Sequence, residues 1–119
     1  MNKIKRKQAY RKGHDAEMLA CQYLQSHGWQ IIKQRYKTPY GEIDIIARRD
    51  DWCIFVEVKA RKDVDAALYA VTQRQQQRIA QAALHFVADY SITDNMRFDV
   101  IAVSATHAIT HIQHAWDMQ

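Results

Sequence analysis

The chain has 119 residues, 48% apolar and 25% charged, which fits one globular domain that buries a core without staples. Two cysteines with no C-x-x-C exclude a disulfide framework and a zinc ribbon, and no apolar run is long enough for a membrane span or the core of a secretory signal. The net charge is +4, yet Lys3, Lys5, Arg6, Lys7, Arg11 and Lys12 supply six positive charges before Gly13, leaving −2 for residues 13–119.

Residues 1–12, "MNKIKRKQAYRK", read as a basic, flexible tail, either an arm for phosphates or a solvated terminus. Residues 13–119 read as a single domain. Ala16, Leu19, Ala20, Tyr23 and Leu24 recur at helical spacing, predicting a helix that starts between Ala9 and Asp15 and stops at Gly28. Glu17 borders that stripe. "WQIIKQRY" predicts a strand from its β-branched content, since its alternation is poor. "KTPYG" is a turn. Residues 42–47 and 53–60 predict two strands, and "RRDDW" between them is too short for a parallel crossover, so they form an antiparallel hairpin. "RKDVDAALYAVT" reads as a loop or an early helical turn. "TQRQQQRIAQAALHFVADY" predicts a helix with Ile79, Ala82, Ala83, Phe86 and Val87 inward, and Gln75 extends that face toward its N-terminus. "MRFDVIAVS" is a strand, and "AITHIQHAW" is a candidate for one more. The order αβββαβ, with that candidate strand after it, predicts an α/β fold whose mixed sheet is flanked by helices.

The hairpin carries charges inside its apolar runs. Glu42 and Asp44 share a face, as do Glu57 and Lys59, because alternate residues of a strand point the same way. If the turn centres between Asp50 and Asp51, Asp44 opposes Glu57 and Glu42 opposes Lys59. Like charges directly opposed are destabilising, so Asp44 against Glu57 is a poor choice for stability alone. A divalent cation reverses that argument: two carboxylates, a main-chain carbonyl such as that of Val58, and waters suit Mg²⁺ or Mn²⁺. Lys59 cannot be a ligand while protonated, but it can orient a metal-bound water or neutralise charge on a transferred phosphoryl group. The alternative is a Glu42–Lys59 cross-strand salt bridge on a solvated face.

"GEIDIIA" followed by "FVEVKAR" resembles the PD-(D/E)XK nuclease signature, with Asp44 as the D and Glu57-Val58-Lys59 as the E-x-K. Together with "GHDAEMLACQYLQSHGW" and "RFDVIAV", the chain from Gly13 to Trp116 resembles the YraN-like family of uncharacterised bacterial proteins. That family is grouped with the restriction-endonuclease-like fold and is similar to archaeal Holliday-junction resolvases. The resemblance implies a three-layer core, metal-binding Asp44 and Glu57, a catalytic Lys59, and a supporting acid at Glu17 on the first helix. Glu42 belongs to the family's own motif, with no assigned role. Two departures stand out. Pro39 precedes Asp44 by five residues, and Gln75 stands where such a helix would carry a lysine, bringing hydrogen bonds but no charge.

Arg48, Arg49, Arg61 and Lys62 flank the cluster in sequence, either as phosphate contacts beside the Lys5, Arg6 and Lys7 arm or as strand-end charge that blunts sheet edges. Asp99 interrupts an apolar strand and has Arg97 or Lys33 as candidate partners. The six histidines read as surface residues, and the tryptophans as completing the core or capping strand ends. The expected activity is Mg²⁺-dependent phosphodiester hydrolysis on DNA, branched DNA included, by a cytoplasmic protein with no membrane partner and, by analogy with junction resolvases, a two-fold homodimer. The rivals are a DNA-binding module of nuclease fold without turnover, and a protein-interaction domain whose acidic cluster is structural.

Overall fold

The computed structural model describes residues 2–118, with the Tyr10 side chain outside the described atoms. Its elements are α1 (Lys3–Ser26), β1 (Gln30–Lys37), β2 (Glu42–Arg49), β3 (Trp52–Ala60), α2 (Val64–Ala70), α3 (Gln73–Asp89), β4 (Asn95–Val103) and β5 (Ile109–Trp116). The five strands form one mixed sheet in the order β1-β2-β3-β4-β5. Only β3 and β4 are parallel. A parallel pair needs a long crossover, which α2 and α3 supply.

Both faces of the central strands are covered, which is why β2, β3 and β4 read as nearly continuous apolar runs. Ala16, Ala20, Cys21 and Leu24 of α1 pack on Ile45, Ala47, Ile54, Val56, Ile101 and Val103. On the opposite face Ile79, Ala82, Ala83 and Phe86 of α3 pack on Ile46, Phe55 and Phe98. Ala67 of α2 and Val71 just after it sit against Val100 and Ala102. The result is a three-layer α/β core with the expected helical stripes inside. Both cysteines are buried and free, and burial pushes the Cys53 thiol up to about 12, which keeps it inert. No helix among the described residues is long and apolar enough to cross a membrane.

The first helix starts earlier than its stripe predicts. Residues 3–12, expected as a tail, are the opening turns of α1, and the Asn2 side chain caps them by accepting from the Lys5 N–H at 2.9 Å. Lys, Arg, Gln and Ala are good helix formers, so the helix extends past its apolar face, and the described side chains of this stretch are exposed. Met1 of the expected tail and Gln119 of the expected domain lie outside the described residues. At the other end, Gly28 adopts φ +85°, Gly28 N–H donates to Gln25 O and Trp29 N–H to Leu24 O. This is the Schellman arrangement that a helix-ending glycine permits.

The poor alternation of β1 also has a cause. Its register shifts between Ile31 and Lys33, and Arg35 lies at φ +50°. Ile31 joins the α1 layer and Ile32 the α3 layer, as adjacent strand residues do, and the extra residue then brings Lys33 opposite Ile46 on the α3 face, which breaks the alternation. The ambiguous stretch before α3 is a short helix, capped by Asp63 accepting from the Ala66 N–H at 2.8 Å.

Candidate functional site

The β2–β3 hairpin holds the expected register: Arg49↔Trp52, Ala47↔Ile54 and Ile45↔Val56 are paired. The Asp-Asp turn is accommodated by Asp50 at φ +55°, a region short polar residues tolerate. The ladder between β2 and β3 ends at Ile45↔Val56, whereas β2 remains paired to β1 through Tyr36↔Ile43 and Lys37↔Glu42. The strands therefore part just past Ile45, and the acids sit where they part.

Following Ile46 and Phe55, the next side chains on the α3 face are Asp44 and Glu57. In place of a strand partner, the Val58 N–H donates to Asp44 Oδ2 at 2.8 Å. Glu57 is 6% exposed. Gln75 Nε2 donates to its Oε1 at 3.4 Å, and Lys59 Nζ lies 3.5 Å from the same oxygen. The expected Glu42–Lys59 opposition is not made, because the β2–β3 ladder ends at Ile45↔Val56, while Glu42 stays paired to Lys37 of β1. Lys59 turns to Glu57 instead.

Electrostatics make this a strained pair. Burial pushes Glu57 up to about 9, and the neighbouring Asp44 charge pushes the same way, against the opposing pull of Lys59. Asp44 is also raised, by burial first, against the lowering effect of its hydrogen bonds to Glu57 and to the Val58 N–H. Two carboxyl groups that close retain a proton between them at neutral pH.

The pair forms the floor of a cavity of about 450 Å³ lined by Gly41, Glu42, Asp44, Glu57, Ala70, Thr72, Arg74, Gln75, Arg78 and Ile79. Thr72 caps α3 by accepting from the Gln75 N–H at 3.1 Å, which fixes where Gln75 enters. The turn before β2 closes the other side. Thr38 Oγ1 donates to Gly41 O at 2.9 Å, and Arg78 Nε donates to Tyr40 O at 3.0 Å. A Cβ on Gly41 would meet Arg78 Cβ at 3.2 Å, so glycine allows the turn to lie against α3.

Asp44, Glu57, Lys59, Gln75 and Glu42 are thus brought together. Glu17 is not: α1 packs on the other sheet face, and Arg35 Nε donates to Glu17 Oε2 at 2.9 Å. Arg48 and Arg49 lie at the turn end of the hairpin and are engaged there. Arg48 makes a two-pronged pair with Asp94, both contacts at 2.8 Å. Arg49 stacks over Trp29 at 4.3 Å and donates to His27 O at 2.8 Å. Arg61 and Lys62 are exposed beyond the end of β3, and Lys5, Arg6 and Lys7 are exposed on the first turns of α1. Arg74 and Arg78 are absent from the sequence reading of the site. Their spacing of four, with Gln75 between, is the signal that puts them on one helix face.

A second polar constellation lies under α1. Asp99, 0% exposed, accepts from Arg97 at 2.8 Å through both oxygens. It also contacts His111 Nε2 at 2.7 Å and accepts from the His114 N–H at 3.0 Å. Tyr23 Oη sits 3.1 Å from His111 Nδ1. His111 is therefore a buried bridge and not a surface histidine, and Lys33, the other candidate partner of Asp99, lies over the Tyr90 ring. Burial alone would raise Asp99, but these hydrogen bonds hold it below the usual carboxylate range.

Comparison with known proteins places these residues in context. The sequence pattern described as Uncharacterised protein family UPF0102 matches residues 16–103. A UPF0102 protein of Bradyrhizobium diazoefficiens is 45% identical over 111 residues, covering 92% of this chain and 84% of its own. One from Rhodopseudomonas palustris is 44% identical over 115 residues, covering 92% and 82%. One from Nitrobacter winogradskyi is 43% identical over 111 residues, covering 92% and 94%. The residues matched to the family pattern include the whole carboxylate pocket and exclude Lys5, Arg6, Lys7 and β5.

Proposed function

The chain belongs to uncharacterised protein family UPF0102, its chemistry rests on its own residues, and we propose that it is a metal-dependent nuclease of PD-(D/E)XK type acting on phosphodiesters of DNA. The observation that carries this reading is the geometry of half-buried Asp44 and buried Glu57, which meet on one sheet face where β2 and β3 part and whose carboxyls burial raises. Lys59, 3.5 Å from Glu57, offsets the repulsion of the two acids in part, and a divalent cation between them would offset the rest.

The donor set suits Mg²⁺ or Mn²⁺. Among the described residues no three or more His, Cys, Asp or Glu side chains group as a metal cluster, but Mg²⁺ keeps several waters and needs few protein oxygens. Asp44 and Glu57 would hold the ion. The Val58 carbonyl would complete the set, since a strand residue's N–H and C=O point to the same edge and the Val58 N–H faces Asp44. When bound, such an ion supplies Lewis acidity and a water of lowered pKa. Lys59 would then stabilise the negative charge that develops on the phosphate oxygens as water adds to phosphorus and the ester oxygen leaves. Gln75 fixes the Glu57 carboxyl. A cytoplasmic setting fits the two free, buried cysteines, and a two-fold assembly would follow by analogy with junction resolvases.

A second reading, DNA binding without turnover, is favoured by one specific observation. Glu17 is held by Arg35 on the far sheet face, so the helix acid that the nuclease resemblance implies does not reach the pair. Incubation with plasmid, linear and four-way-junction DNA in Mg²⁺ or Mn²⁺ separates the two. Cleavage that Asp44→Ala and Lys59→Ala each abolish supports hydrolysis here. Cleavage that survives both removes the assignment, and salt-dependent binding with no cleavage under any divalent ion selects the second reading.

A further inference from the structure

We infer that the carboxylate pocket takes an unpaired stretch of nucleic acid, with Arg74 and Arg78 on phosphates and Tyr69 stacked on a base; the inference rests on the phosphodiester reading of that pocket. The first observation is the cationic wall. Arg74 and Arg78 both line the cavity, one helical turn apart on α3, opposite the acids of its floor. Neither makes an ion pair with a described acid, and Arg78 spends only its Nε, on Tyr40 O. The guanidinium ends remain for a ligand, and a planar fork is the side chain best suited to phosphate oxygens.

The second observation is aromatic. Tyr69 is 90% exposed and Tyr40 is 51% exposed. Each is the chain neighbour of a residue that lines the cavity, Ala70 and Gly41 respectively. Single exposed aromatics need no explanation, but two that each adjoin in sequence a residue lining one charged pocket do. Tyr40 is steadied by His85, with ring centroids 6.2 Å apart, and has a smaller open face. Tyr69 is the residue with a ring free to stack.

Arginines lining a pocket whose neighbours in the chain include exposed rings fit the pattern by which single strands are held: phosphates on cations and bases on aromatic faces, without reading of base edges. A duplex reader would instead present a helix or ribbon to a groove. A cavity of about 450 Å³ is on the scale of a small-molecule site, which suits one splayed nucleotide rather than two paired strands. A flap, fork or single-stranded tail supplies such a nucleotide, and intact duplex does not.

Fluorescence anisotropy with the full chain in EDTA and in Ca²⁺ tests this, using a labelled oligo-dT, an oligo-rU, a duplex and a forked duplex of matched length. Both single strands, or either alone, and the fork are expected to bind at least about tenfold more tightly than duplex. Tyr69→Ala should weaken single-strand binding by about tenfold while Tyr69→Phe retains it, as loss of one stacking platform predicts. Arg74→Ala with Arg78→Ala should weaken it further and flatten its salt dependence. Equal affinity for duplex and single strand overturns the proposal, as does unchanged binding by Tyr69→Ala with an intact circular-dichroism spectrum. Cleavage by the wild type in Mg²⁺ is read separately. Single-strand binding without cleavage leaves this inference standing and removes the nuclease reading. Duplex cleavage indifferent to Tyr69 does the reverse.

Discussion

Asp44 and Glu57 set the pH dependence of the metal-free protein. Glu57 is pushed up to about 9 in the folded state, while an unfolded glutamate titrates near its ordinary value. Between those values the folded chain holds a proton that the unfolded chain has released, so the contribution of Glu57 to stability is complete below about pH 4.5 and falls as pH rises toward about 9. In EDTA, thermal unfolding at pH 8 should therefore lie below that at pH 5.5. Asp44→Asn should raise the pH 8 value by at least about 1 kcal/mol, since a tenfold change in proton affinity corresponds to about 1.4 kcal/mol. Mn²⁺ should raise the wild-type midpoint at pH 8 and leave that of Asp44→Asn unmoved. A flat profile in EDTA would remove the shared proton, and with it the main support for the cation. Asp99 works in the opposite sense. Its hydrogen bonds hold it below the usual range, so its contribution is present above about pH 4 and is lost as pH falls further. Asp99→Asn leaves Arg97 and His111 without their buried charge partner and should cost about 3–5 kcal/mol in urea denaturation. Because Asp99 lies under α1, on the face away from the pocket, cleavage by the folded fraction should persist.

Among the elements, α1 is the one whose length the apolar stripe underestimates. Its buried residues begin at Ala16, and the preceding turns rest on helix propensity and the Asn2 cap rather than on packing. Gly13 sits within those turns, and an added Cβ there would meet nothing within 4 Å. Gly13→Ala should therefore stabilise the helix by about 0.5–1 kcal/mol, read as increased helical ellipticity and slower amide exchange over residues 5–13. Lower ellipticity would mean that these turns are not helical in solution. The hairpin shows the opposite case, where sequence sufficed. Parity and a two-residue turn set which side chains share a face, so the register of β2 against β3, and with it the meeting of Asp44 and Glu57, was legible. The bulge in β1 was not, because an extra residue leaves no mark on composition beyond broken alternation. Glu17 was misleading for a similar reason: helical periodicity shows that it borders the stripe, but not which sheet face the stripe will cover. Arg74 and Arg78 lay in plain view at a spacing of four. Their role depended on where α3 would dock, and that is a tertiary fact.

For the molecule as a whole, the positive charge of α1 is gathered in its first half. A helix of 24 residues is about 36 Å long, and Lys3, Lys5, Arg6, Lys7, Arg11 and Lys12 all lie in its opening turns. Arg11 and Lys12 line a groove with Ala60 and Val103, at the C-terminal ends of β3 and β4. That is the end of β3 that carries Lys59, with Arg61 and Lys62 just beyond it. The positive half of α1 therefore stands on the sheet end that holds the carboxylate pocket, although on the opposite face. Phosphate contacts made there would be indifferent to sequence and would release counterions. Replacing Lys5, Arg6 and Lys7 by Gln should weaken binding of every nucleic acid in proportion. The slope of log affinity against log salt should fall by about 0.7 for each single-strand phosphate no longer neutralised, or about 0.9 for duplex. The pocket is untouched by this change, so on the proposed nuclease reading KM for cleavage should rise while kcat holds, and on the proposed pocket inference the preference for unpaired strands should persist. An unaltered salt slope would return these lysines and arginine to the role of a solvated helix end, and would leave Arg61, Lys62, Arg74 and Arg78 as the cations that bring the acids of the pocket together with a polyanion.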